Sequence, residues 1–281
     1  MKIFLIAILI AVVSLSASEG DSLLSTSPWK KEGAAMLNLS QSRFDNWAGG
    51  GENAFAWQLN VNALAKRSIR KNNIELGAKL QYGETQSGDA DAQKNSDELR
   101  LDALYIYNLE KFADPYASFL LRSQTMPGYQ YSDSSRVKVS AFLDPGYMMQ
   151  SLGLGLAPTE NLRFRAGLSL KETLADDFAA VYSDDSETTK IEKLMIEPGL
   201  EWIIDYNQSF LKMINVSSKA EFFSDLSIAA AIDVNWDSKI SAQIGKYLAV
   251  NFNVRLLYDS DQSAVRQLQE MLALGLTYTI F

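Results

Sequence analysis

The chain contains no cysteine and no histidine. Without cysteine there is no disulfide framework, no thiolate metal site and no lipid-anchored cysteine. Without histidine, a triad hydrolase with an imidazole base, a HExxH protease and a haem on axial histidine each lose the residue that carries the chemistry. Basic residues are also outnumbered, 26 Lys and Arg against 34 Asp and Glu, for a formal charge of -8. Such a balance repels phosphate backbones, so nucleic acid is not an expected partner.

Long apolar runs are nearly absent too. The one exception is Ile3 to Val13, preceded by Lys2 and followed by the small residues Ser14, Ser16, Ala17 and Ser18. That order is the pattern of a secretory signal peptide, and it is shorter than the roughly 20 apolar residues a membrane-spanning helix needs. We therefore expect residues 1–18 to be removed on export and residues 19–281 to form one domain. No later run could cross a bilayer as a helix, so the exported chain is secreted, periplasmic or embedded in a membrane in another form.

What the chain has in abundance is alternation. Phe55, Trp57, Leu59, Val61 and Ala63 fall on one face, with Gln58, Asn60, Asn62 and Lys66 on the other. The same period of two, which marks β-strands, returns at Ile74 to Tyr82, Leu99 to Tyr107, Leu162 to Leu170, Leu194 to Ile204, Ile214 to Phe222, Ile232 to Ile240, Leu248 to Leu256 and Leu272 to Tyr278. Weaker stretches lie at Ala34 to Ser40, Tyr116 to Gln124 and Tyr147 to Leu156. Together they predict about twelve strands, an even number as in bacterial outer-membrane barrels.

A soluble barrel also alternates, with its apolar side inward. The connections decide between the two. Those near 67–73, 110–115, 157–161 and 244–247 are short, whereas those near 84–97, 123–145 and 171–190 are long, acidic and rich in Ser, Asp and Gly. Short and long ends alternate along the chain, which is the arrangement of periplasmic turns and external loops. Tyr82 and Tyr258 close strands at the long-loop end, and Tyr105, Tyr107, Trp202 and Tyr206 fall toward the short-turn end, as two interfacial aromatic girdles would. The chain stops at an aromatic residue, Phe281, which resembles the signal read by the barrel-assembly machinery but lies off the parity of the preceding apolar face. The expected fold is an all-β, transmembrane, antiparallel up-and-down barrel of the outer-membrane type.

With apolar faces toward lipid, the opposite faces fill the lumen. They carry Lys66, Lys79, Arg100, Arg163, Arg165, Lys171, Lys219, Lys239 and Arg255 beside Glu75, Asp102, Glu197, Glu201, Asp205, Glu221, Asp233 and Asp237. So many charges need cross-strand partners or water. The interior is then either a salt-bridged solid or a narrow wet channel, and a barrel of this size lies between filled and open ones. The expectation is a passive channel for small polar or anionic solutes, with Arg163 and Arg165 attracting carboxylate or phosphate. The alternative is a closed structural or partner-binding barrel. Adjacent acids at Asp176-Asp177 and Asp184-Asp185 read as solvated loop, and no spacing assembles a nucleophile, base and oxyanion site. No enzyme activity, cofactor or metal is expected.

After the first strand stands the segment Asn46-Trp47-Ala48-Gly49-Gly50-Gly51-Glu52-Asn53. Its glycines permit positive φ and close backbone approach. Either the loop folds inward as a constriction, with Asn46 and Asn53 binding its backbone groups, or it is a tight first external turn with Trp47 at the interface; the second reading is preferred. This stretch, from Leu39 through Asn53, resembles the N-terminal signature of a Bacteroidetes-type outer-membrane family catalogued as domain of unknown function 3078. Pro145-Gly146-Tyr147, Leu152-Gly153-Leu154 and Leu256-Leu257-Tyr258-Asp259 are similar to that family as well. The resemblance implies a membrane barrel and supplies no catalytic residue or cargo.

Overall fold

The computed structural model describes residues 29–280, apart from 111, 133–134, 185–189, 212, 227–231 and 260–264. The proposed signal segment 1–18, Phe281 and Asp185 lie outside the described residues. Among the described residues there are fourteen strands: β1 (Lys30–Ser42), β2 (Ala54–Ile69), β3 (Asn72–Ser87), β4 (Gln93–Tyr107), β5 (Asp114–Ser123), β6 (Gly128–Ser132), β7 (Ser135–Ser140), β8 (Gly146–Thr159), β9 (Leu162–Leu174), β10 (Leu194–Phe210), β11 (Ile214–Asp225), β12 (Ile232–Gln243), β13 (Leu248–Tyr258) and β14 (Gln267–Thr279). A single helical turn, α1 (Ala179–Tyr182), lies between β9 and β10.

Twelve of the strands close into one antiparallel barrel in the order β1-β14-β13-β12-β11-β10-β9-β8-β5-β4-β3-β2. These are the strands the alternation predicts. Every neighbour in the ring is a neighbour in sequence along the barrel, and β1 meets β14 to seal it, with Leu37 opposite Leu276 and Leu39 opposite Leu274. Closure removes the two edges an open sheet would expose, the condition for a sheet to sit in hydrocarbon.

The barrel is polar inside and apolar outside. Leu152, Leu168 and Leu272 are about two-thirds exposed, at 66%, 65% and 65% of their surface, while Asn38, Ser151, Glu197 and Asn251 are buried. A soluble barrel would reverse these. No described helix is long and apolar enough to cross a membrane; the outward apolar belt lies on the barrel strands. The interior is not purely polar: Tyr116, Ile203 and Phe223 also point inward and are buried. Gly199 makes room for one of them, since a Cβ there would stand 2.3 Å from the Phe223 ring.

Two sequence boundaries need correction. The connection expected over 84–97 is mostly strand, because β3 and β4 stay paired to Thr85 opposite Gln93 beyond a bulge at Gly83/Glu84. Past the apolar band both faces of such a hairpin are wet, so its alternation disappears while its hydrogen bonds continue. The connection expected over 123–145 contains a further hairpin, β6 with β7, outside the barrel. Trp202, placed above toward the short-turn end, lies near the middle of β10 opposite Ala166 and Phe222.

Candidate functional site: an ion-bridged lumen

Strand register explains how the charges meet. Lys66 stands opposite Glu75 on β2 and β3, Lys171 opposite Glu197 on β9 and β10, and Lys219 between Asp205 and Asp237 on β10, β11 and β12. The register also sets two cations, Lys79 and Arg100, directly opposite each other on β3 and β4. Like charges in that position repel. Their compensation comes from carboxylates on β4 itself, Glu98 and Asp102, and from Glu221 and Asp237 across the lumen.

Arg100 donates to Glu221 from two nitrogens, at 3.0 and 2.5 Å, and to Asp102 at 2.8 to 3.0 Å. Lys219 joins this group at 2.8 Å from Glu221 and 3.9 Å from Asp102. Lys79 contacts Glu98 at 3.1 Å and Asp237 at 3.3 Å, and Arg255 also pairs with Glu98. Glu75 accepts from Arg163 at 3.2 Å with Lys66 at 3.8 Å, and Arg165 pairs with Asp205 at 3.2 Å. Near the long-loop end Lys171 holds Asp233, Glu197 and Asp259 at 2.7, 3.2 and 3.4 Å. Among the described residues no group of His, Cys, Asp or Glu could hold a metal ion.

These contacts divide the interior. An upper cavity of about 460 Å³, toward the long-loop end, is lined by Lys79, Glu98, Asp237, Lys239 and Arg255 with several carboxamides. A lower cavity of about 350 Å³ is lined by Glu75, Glu160, Arg163, Arg165, Glu201 and Asp205. Both share Arg100, Asp102, Lys219 and Glu221, which form the partition. Apart from the partition, the upper cavity has three cations against two anions, and the lower has two cations against four anions.

A chain of amides seals the wall above β14. Asn251 donates to Asn38 at 3.1 Å, Asn38 to Gln58 at 3.3 Å, and Ser241 to Asn251 at 2.8 Å. This chain passes over Gly275, where a Cβ would lie 2.2 Å from the Asn251 amide nitrogen.

At the long-loop end two carboxylates anchor the connections. Asp97 accepts from the Thr125 and Met126 backbone N–H groups at 2.8 and 2.9 Å and from Lys94 at 2.8 Å. Asp144 accepts from the N–H groups of Asp176, Asp177 and Phe178 at 2.8, 3.0 and 3.4 Å. Tyr182 donates to the Val139 carbonyl at 3.3 Å, and burial, then the Asp144 charge, pushes its phenol above the ordinary 10.0. Gln269 of β14 reaches the Asn95 carbonyl of β4 at 2.8 Å, spanning the mouth.

All the sequence-derived lumen residues, Lys66, Lys79, Arg100, Asp102, Arg163, Arg165, Glu197, Glu201, Lys219, Glu221, Asp233, Asp237, Lys239 and Arg255, lie on inward-facing strand positions. The loop residues Asn46, Trp47, Gly49, Gly50, Gly51 and Asn53 lie apart from them, on the rim. Trp47 is 67% exposed. Gly50 and Gly51 adopt φ of 75° and 147°, and Asn46 φ of 50°. Asn53 accepts from the Phe44 N–H at 2.7 Å, so it does bind the loop's backbone, but none of these residues lines either cavity. Sequence reasoning missed Glu98, although its parity on β4 matches Arg100 and Asp102. It missed Asp97 and Asp144 because their partners are backbone groups far along the chain.

The fold and its interior define a membrane-spanning β-barrel with an ion-bridged polar lumen. Residues 39–129 match the model of the family described as "Protein of unknown function (DUF3078)". The match contains the Leu39 to Asn53 segment and leaves Pro145 to Leu154 and Leu256 to Asp259 outside it. No curated protein matches the chain. Solved structures similar to it include the translocator domain of the autotransporter NalP from Neisseria meningitidis, at 10% identity over 99% of this chain and 95% of that one, TM-score 0.40. An outer membrane channel from Pseudomonas putida F1 aligns at 12% identity over 94% and 98%, TM-score 0.40, and the NanC porin at 7% over 88% and 97%, TM-score 0.38.

Proposed function

We propose that this protein is an outer-membrane barrel of the DUF3078 family that serves as a narrow passive channel for small polar solutes. One observation carries the reading: two polar cavities lie end to end along the barrel and are separated by side chains, not backbone. Because Arg100, Asp102, Lys219 and Glu221 line both cavities as side chains, opening the partition would take a rearrangement of their ion pairs and no movement of backbone. Arg163 and Arg165 face the lower cavity already paired with Glu75 and Asp205, and with anions in excess there they offer polar solutes hydrogen-bond donors but anionic ones no net attraction.

In this reading residues 1–18 direct export and are cleaved. The barrel-assembly machinery inserts the strands, outer-membrane lipid covers the apolar belt, and the host is a Gram-negative bacterium of Bacteroidetes type. The short turns face the periplasm. The chemistry of the lumen is binding and passage, not catalysis.

The bridges that span the lumen favour a second reading, a closed structural or partner-binding barrel. Single-channel recording in planar bilayers separates the two. A conducting wild type supports the channel. A silent wild type with a conducting Arg100→Ala/Glu221→Ala double variant means the partition shuts the bore. Silence of both removes the channel reading.

A further inference from the structure

Every other cation on the sequence-derived lumen list has a carboxylate within 4.0 Å; Lys239 has none among the described residues. Among the described residues its ammonium meets only the Met36 thioether, at 3.3 Å, a weak acceptor. The nearby acids are already engaged, Asp237 by Lys79 and Glu98 by Lys79 and Arg255. Arg122, another inward cation of β5, is stacked on the Tyr147 ring at 5.1 Å. Lys239 has neither kind of partner, and it lines the upper cavity.

A charge held away from bulk water without a counterion is costly. The upper cavity supplies room for one: about 460 Å³ lies within the range of small-molecule sites. Its wall carries Asn253, opposite Lys239 on β13, together with Asn60, Asn62 and Gln269. Carboxamides both donate and accept, so they suit a neutral polar body bearing hydroxyl or amide groups. One unbridged ammonium matches one carboxylate.

We propose that the upper cavity is a binding site for a small monocarboxylate with a polyhydroxyl or amide body, its carboxylate on the Lys239 ammonium. This deepens the channel reading by naming a solute class, and it rests on that reading only for a water-accessible lumen.

The test is titration calorimetry of the folded full-length barrel in detergent micelles, with sodium gluconate as probe and sorbitol as its uncharged counterpart. Gluconate should bind and sorbitol at least tenfold more weakly. Lys239→Gln should weaken gluconate about tenfold or more, and Lys239→Arg should retain it. Absence of gluconate binding, equal binding of sorbitol, or undiminished binding by a folded Lys239→Gln barrel overturns the site. If Lys239→Gln does not fold, the wild-type comparison of gluconate with sorbitol decides alone. Equilibrium binding does not require conduction: a silent barrel that binds gluconate loses the channel and keeps the site, and a conducting barrel that ignores it does the reverse.

Discussion

Arg100 on β4 and Glu221 on β11 meet in a two-nitrogen, two-oxygen contact at 3.0 and 2.5 Å, although their strands stand five places apart in a ring of twelve. Six places would be diametric, so the bridge spans nearly the full bore. Losing one partner of such a pair leaves an uncompensated charge in a confined space, whereas losing both does not. Glu221→Ala should destabilise the barrel by about 3 kcal/mol in urea unfolding from lipid vesicles, and the Arg100→Ala/Glu221→Ala pair by clearly less. Additive losses would show that the two side chains do not act together.

Arg163 and Arg165 neutralise Glu75 and Asp205 in the lower cavity. Replacing both arginines with alanine frees those carboxylates in a region already short of cations. In a conducting barrel the cation-to-anion permeability ratio should rise by about twofold or more. Reversal potentials in a salt gradient measure it, and an unchanged ratio would mean the ions do not pass near these residues.

At Gly275 the constraint is space. A Cβ there would collide with Asn251 and Asn38. Gly275→Ala should cost about 1–3 kcal/mol, typical of overpacking, and adding Asn251→Ala should recover part of it. Heat-modifiable migration on gels reports whether the closed barrel forms. A wild-type Gly275→Ala would show that the amide chain shifts without penalty.

Asp144 holds three successive N–H groups at the start of the β9–β10 connection. Asp144→Ala leaves them to water or unpaired, at about 1–2 kcal/mol of local stability. Amide exchange at Asp176, Asp177 and Phe178 should accelerate about tenfold while the barrel strands stay protected. Unchanged exchange at those three positions would assign the anchoring elsewhere.

The twelve barrel strands were legible because lipid on one side and water on the other force a period of two. Even the weak stretches Ala34 to Ser40 and Tyr147 to Leu156 kept it, and both are barrel strands in the structure. The rule fails where both faces meet water, which hides the hairpin of β6 and β7 and the paired residues Thr85 and Gln93. Inward positions were equally readable from parity, Lys239 included. Which cation finds a partner was not, because Arg255 and Glu98 lie on strands remote in sequence and meet only through the curvature of the closed ring. The anchoring by Asp97 and Asp144 carries no residue pattern at all, since a backbone N–H is the same at every position.

The unequal division of charge between the two cavities makes the bore electrically polar along its axis. In a conducting barrel, ions driven from the positive half toward the negative half and ions driven the other way would encounter different profiles. A barrel inserted in one orientation should therefore behave as a rectifier, its current–voltage curve bending with the sign of the applied potential.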